Sequence, residues 1–290
     1  MGRIFALLFA ATVLAGATAG ANAADLLPPP PPIEPPPPVD LGGWYLRGDV
    51  GVGATQISDW NYSLRPGIDG AGNVVIPAGP VWNTHRSIGD TAFAGAGVGY
   101  QFNSWVRFDL TGEYRIQSAY RATNFFAFPG CGSACSGFDN YNANLGTALF
   151  LANAYVDLGT WYGLTPFIGG GVGAAFHNFS GLTDVGFGVA NGGYGVAADT
   201  NATNFAWQVT GGLAFAVTPN LRLEVAYRYL DMGKITSGPI SCNALPCFGE
   251  RHSFNVASND VRVGFRYIIP SLTPVPMMAP PPMPPLVRKY

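Results

Sequence analysis

The sequence predicts an all-β chain, an eight-stranded antiparallel up-and-down transmembrane β-barrel with proline-rich terminal extensions. The first observation behind this is strict alternation near the C-terminus. Leu221, Leu223, Val225, Tyr227 and Tyr229 fall on one phase, and Arg222, Glu224, Ala226 and Arg228 on the other. Successive side chains of a strand point to opposite faces, so one face is apolar and aromatic and the other charged. The pattern returns at Val261, Val263, Phe265 and Tyr267, with Arg262, Gly264 and Arg266 between them. A soluble sandwich would alternate too, so the choice rests on the second observation, composition. The chain is 48% hydrophobic, only 11% charged and holds 39 glycines, yet after residue 24 it has no apolar run of 18 residues. That makes a transmembrane helix improbable and suits an outer-membrane barrel. The third observation is that the connections between strand candidates alternate between short and long, as barrel turns and loops do.

In chain order, residues 1–23 read as an export signal: Arg3, an apolar stretch from Ile4 to about Gly20, then the small-x-small site Ala21-Asn22-Ala23. An uncleaved anchor is the alternative, and the run is short for one. The mature chain is expected to begin at Ala24 and to continue as a proline-rich periplasmic linker over 24–42, with nine prolines in 28–38. The barrel is expected over 43–269. A tail over 270–290 follows, with eight prolines in 270–285. Both proline segments suit extended polyproline II spacers.

Eight strands are expected, at about 44–57, 89–102, 105–117, 144–158, 165–177, 204–217, 221–232 and 255–268. Each can cross a bilayer at a tilt, which takes about 9–11 residues. The short connections are Asn103-Ser104, Gly159 to Leu164, and Thr218-Pro219-Asn220. The long ones, about 58–88, 118–143, 178–203 and 233–254, are expected to be polar, mobile extracellular loops. An even strand number then places both termini on the periplasmic side.

Charge distribution sharpens the assignment. The outward phases of all eight strands carry no charge, whereas the inward phases hold Arg47, Asp49, Arg107, Asp109, Glu113, Arg115, Asp157, Arg222, Glu224, Arg228, Asp260, Arg262 and Arg266. A lipid-facing arginine costs a few kcal/mol at mid-membrane. Eight strands leave an interior that side chains just fill, so these ions are expected to form a salt-bridged plug, with a narrow conducting pathway as the alternative. Glycines 95, 97, 99, 169, 171 and 173 are expected to make room for neighbouring arginines. No helix or Lys-Ser/Thr follows the G-x-G-x-G run, which argues against a phosphate loop. The net charge of −2 argues against nucleic acid.

Four cysteines form two close pairs, Cys131 with Cys135 and Cys242 with Cys247. In an oxidising compartment each pair could close a small loop. Free thiols and a metal site are the alternatives.

The segments Gly43–Gly51, Phe205–Phe215, Leu223–Gly233 and Asn259–Tyr267 resemble the small outer-membrane β-barrel proteins of alphaproteobacteria, the rhizobial and brucella-type surface antigens with the architecture of the outer membrane protein A barrel. The resemblance implies an abundant structural barrel with exposed loops, embedded in outer-membrane lipid and lipopolysaccharide and inserted by the barrel assembly machinery. It also implies a closing aromatic, here Tyr267, although a further segment ending at Lys289-Tyr290 follows. Some members bind haem. The start Ala24-Asp25 resembles barrels joined to peptidoglycan through the terminal amine. Residues 24–43 as polyproline II would reach about 60 Å, and a passive leader is the alternative to such a tether.

Candidate ligand groups are few. His85, His177 and His252, with Trp60, Tyr62, Trp82 and Phe248, could hold a haem, but a loop histidine is more often a polar surface residue, so no cofactor is expected. For an enzyme, His252, Ser253 and Glu250 are the one compact set, yet adjacent strand residues face opposite ways. The tail methionines Met277, Met278 and Met283 suit a disordered tail better than a soft-metal site. The expected role is a structural outer-membrane barrel that stabilises the envelope, with a peptidoglycan tether at Ala24 left open beside the passive leader. The alternative is a surface receptor or adhesin binding a ligand such as haem through its loops.

Overall fold

The computed structural model describes residues 42–63, 67–68, 74–75, 81–127, 136–188, 192–243 and 249–270. The strands in chain order are β1 (Gly43–Ser63), β2 (Gly67–Ile68), β3 (Val74–Val75), β4 (Val81–Ile88), β5 (Thr91–Gln101), β6 (Val106–Ala127), β7 (Ser136–Asp157), β8 (Leu164–Gly188), β9 (Tyr194–Ala197), β10 (Thr200–Ala216), β11 (Leu221–Thr236), β12 (Ile240–Cys242) and β13 (Arg251–Ile268). Eight of these close a ring. β1, β5, β6, β7, β8, β10, β11 and β13 pair antiparallel in that order, and β13 returns to β1. Closure leaves these strands no free edge within the bilayer, where an unpaired backbone group would be costly.

The end carrying Gly43 and Ile268 also carries the short turns, which marks it as periplasmic. Two of those turns use one device. Asn103 Oδ1 accepts from the amides of Trp105 and Val106 at 2.9 and 2.7 Å, and Thr218 Oγ1 accepts from Asn220 and Leu221 at 3.3 and 3.0 Å. The third turn needs left-handed backbone at Gly159, Tyr162 and Gly163.

At this rim all eight strands end within one residue of expectation. The outer ends differ, because most strands run on well past the expected boundary. β6 and β7 have 22 residues each and β8 has 25. β4 continues the wall above β5 by pairing with β6, and β9 and β12 do the same above β10 and β11. Much of what was expected to be mobile loop is therefore sheet.

The physical reason is a change of solvent. Across the membrane belt, lipid lies outside and ions lie inside. Trp44, Leu46, Val50 and Val52 on β1, for example, are each about half exposed or more. Aromatic rings border the belt, with Trp44 edge-on to Tyr100 at 5.4 Å on the periplasmic side and Trp207 beside Tyr229 at 5.5 Å nearer the other. Above the belt, water lies outside and the apolar phase turns inward. Along β13 the buried residues from top to bottom are His252, Phe254, Val256, Ser258, Asp260, Arg262, Gly264 and Arg266. The strands thus enclose an ion layer in the membrane, then an apolar core of Tyr120, Leu145, Leu149, Phe179, Leu230, Met232, Ile235, Phe254 and Val256 above it. Register shifts at Ser58/Asn61, Arg115/Ser118, Asn142/Asn144 and Asp231/Lys234 fall in the outer parts of their strands, where bulges re-aim side chains.

Candidate functional site

Two sites follow from this layering. The lower one is the ion layer. Arg47 donates to Asp109 at 2.7 Å, to the Tyr155 hydroxyl at 2.8 Å and to both Asp49 oxygens at 2.9 Å. Arg266 donates to Glu224 and Gln101 at 2.9 Å, and Arg107 to Asp157 at 3.1 Å. A second knot is centred on Asp260. It accepts from Arg115 at 2.9 and 2.8 Å and from Arg228 at 2.8 and 2.6 Å, while Glu113 pairs with both arginines. The Phe93 ring centroid lies 4.9 Å from each of those guanidinium groups. Arg262 reaches Asp49 at 3.9 Å.

Arg222 departs from expectation. It stands half-buried near the periplasmic end of β11 and joins no ion pair among the described residues, while Glu224 two residues on is taken by Arg266 and Arg107. The glycines do make room, though less often for arginine than expected. A side chain at Gly99 would strike the Tyr45 ring, at Gly169 the Tyr155 ring, and at Gly171 the Asn153 amide. Gly53, which the sequence reading passed over, is the position that admits the Arg115–Asp260 pair.

The upper site is an aromatic and acidic chamber outside the membrane belt. His252 is fully buried. Trp60 Nε1 donates to the Tyr120 hydroxyl at 3.1 Å, that hydroxyl meets His252 Nδ1 at 3.0 Å, and His252 Nε2 meets Glu250 Oε1 at 2.8 Å. The Tyr141 ring is edge-on to the imidazole at 4.4 Å, and Trp60 lies 5.4 Å from it. Asp139, Tyr141 and Asp184 complete the walls. Tyr141 is the cross-strand partner of Asp184, and Asp139 lies two residues away from Tyr141, on the same face of β7. Burial, then the Glu250 carboxylate, pushes Asp139 up to about 7. Burial, then Asp139 and Glu250, pushes Asp184 up to about 8. Burial and the same carboxylates hold the Tyr62 and Tyr141 hydroxyls well above the ordinary phenol range.

These positions revise the expected ligand set. His252 is not a loop residue free to bind haem iron, because it is fully buried and both ring nitrogens are engaged, by Tyr120 and Glu250. His177 is likewise buried between Thr147 Oγ1 and the Met232 carbonyl, each at 2.9 Å. His85 is exposed on β4. Trp60 and Tyr62 belong to β1, and Phe248 lies outside the described residues. Of the suspected hydrolytic set, Glu250 and His252 do meet, but Ser253 is turned to the opposite face and meets Thr236 Oγ1 at 2.9 Å. Ala24, Cys131, Cys135, Cys247 and the tail methionines lie outside the described residues, and Cys242 ends β12. The sequence reading missed Asp139, Tyr141 and Asp184. Their common inward phase was the available signal, hidden by the assumption that the segment was loop.

Comparison with known proteins agrees with the architecture. An uncharacterized protein of Brucella abortus is 32% identical over 224 residues, covering 72% of this chain and 75% of its own. The outer membrane protein PagN of Salmonella typhimurium is 32% identical over 124 residues, covering 41% of this chain and 48% of its own. A putative adhesin, RP828 of Rickettsia prowazekii, is 26% identical over 197 residues, covering 66% and 72%. The family model described as outer membrane protein beta-barrel domain matches residues 7–268, and the chain belongs to that family.

Proposed function

We propose that this barrel is a sealed structural anchor in the outer membrane that holds up a rigid, adhesin-like recognition surface. The observation that carries this reading is the continuation of the sheet past the lipid belt around its own apolar core. A passive plug would need only the ion layer. A folded extension that buries Tyr120, Phe179 and Phe254 fixes the outer rim in one shape, and preorganisation of this kind favours binding. The likeness to a putative adhesin supports the same reading. Surface expression in a non-adherent Gram-negative host should confer attachment to host cells. Attachment should be lost when the residues linking the extended strands are replaced by short glycine turns while the barrel still inserts. Unchanged attachment in that variant would refute the reading.

A second role is favoured by the position of β1, which enters the barrel from the periplasmic rim. The segment before it lies outside the described residues, and its Ala24 amine is the proposed acceptor in a peptidoglycan link. Muramidase digestion of SDS-boiled sacculi should release an Ala24 peptide carrying a wall fragment. Recovery of free Ala24 alone would remove the tether.

A further inference from the structure

The chamber above the core has an unbalanced side. Among the described residues, Asp139 and Asp184 join no ion pair, and the one ion pair of Glu250 is with His252, beside its contact with the Tyr62 hydroxyl. One Asp184 carboxylate oxygen is buried without a hydrogen-bond partner. The Tyr141 hydroxyl, on a side chain 1% exposed, has no close partner beyond its approach to the Asp139 carboxyl. Tyr141 and Asp184 face each other across β7 and β8, and both point into the chamber. A buried carboxylate oxygen left unpaired is costly, and a ligand bearing donors would satisfy it.

The donor is best a cation, since the walls carry three carboxylates against one imidazole, His252, already engaged by Glu250, and the Arg86 guanidinium of β4 lies exposed at 5.8 Å over the outer Trp60 ring. The groups that face the cation are Asp139 and Tyr141 from β7, Asp184 from β8, Glu250 and His252 from the start of β13, Tyr62 from β1 and Tyr120 from β6. A bare metal ion is disfavoured, because no three of the described ligating groups converge on one point. A guanidinium group suits the geometry better. It is planar, spreads five donors over separated acceptors, and stacks on aromatic faces. Half-buried Asp139 and Tyr62 mark the open side through which it would enter.

We propose that this chamber binds a guanidinium group, carried by a free small molecule or by an arginine side chain of a surface partner. The biological partner rests on the recognition role proposed above; the binding itself does not. Both carboxylates with raised proton affinity should ionise as the pH rises through about 7 and about 8, so binding should tighten over that range.

The test is calorimetric titration of the full-length barrel, refolded in detergent micelles, with agmatine and with the peptide Gly-Arg-Gly, at pH 8.5 and 5.5. Expected are single-site saturation at pH 8.5, at least tenfold weaker binding at pH 5.5, and at least tenfold loss in Asp139→Asn/Asp184→Asn. Butylamine should bind at least fivefold more weakly than agmatine. Saturation by agmatine alone would assign a small-molecule ligand, and saturation by both would assign an arginine-bearing partner as well. Tyr141→Phe keeps the ring and should weaken binding without changing the heat-shifted gel mobility that reports folding. No saturation by either probe up to about 10 mM, equal binding in the folded double variant, or saturation by calcium chloride with agmatine silent would each overturn the proposal. No cells are used, so such a failure leaves the attachment assay to judge the recognition role separately.

Discussion

Replacing Asp260 with alanine should cost the barrel about 3–5 kcal/mol, the range for breaking a buried ion pair by removing one partner. The carboxylate accepts two bonds from Arg115, two from Arg228 and one from Ser258, at distances between 2.5 and 2.9 Å. The loss is smaller than five charge-assisted bonds would suggest. Glu113 remains within 3.1 Å of Arg115 and 2.8 Å of Arg228, so neither guanidinium is left without a counter-ion. The assay is urea unfolding in detergent micelles followed by tryptophan fluorescence, comparing midpoints at constant slope. A double-mutant cycle with Arg228→Met should show coupling of about 1–3 kcal/mol. A loss below about 1 kcal/mol for Asp260→Ala, with no coupling, would show that the layer is wet enough to re-solvate its arginines and would refute a sealed lumen.

In the apolar layer, Phe254→Ala empties a fully buried site stacked on Tyr120 at 5.0 Å and should cost about 3–5 kcal/mol in the same assay. Val263 is half exposed in the belt, and Val263→Arg should destabilise by about 2–4 kcal/mol in lipid vesicles, whereas an equal charge on the exposed outer extension should cost far less. Asp139 and Asp184 bind protons more tightly folded than unfolded, where their ordinary value is about 4. The stability they contribute is therefore complete below about pH 4 and is lost as pH rises through about 7 and about 8. Hydrogen exchange at residues 139–145 and 179–186 should quicken from pH 5.5 to 8.5 beyond the intrinsic rate. Asp139→Asn/Asp184→Asn should flatten that rise, and an unchanged rise would refute it.

The eight strands, their periplasmic ends and the side each residue faces in the membrane are legible in the sequence, because a period of two and a lipid exterior together leave one allowed phase. Val261 and Val263 must face out if Arg262 is to avoid lipid. The same rule hid the upper half. Above Ser258 the exterior is water, so Phe254 and Val256 turn inward on the phase that lower down carries Asp260 and Arg262. A search for one apolar phase reads that reversal as loss of pattern and assigns loop. Partner choice lay beyond the sequence altogether. Arg115 meets Asp260 across 145 residues and Arg47 meets Asp109 across 62. Only ring closure and register bring those charges to one level. The chamber has the same origin. Tyr62, Asp139, Asp184 and Glu250 come from separate stretches of chain, each unremarkable alone, and only the closed upper wall sets them around one buried histidine. Local alternation decided which way each side chain points; the tertiary ring decided what it meets.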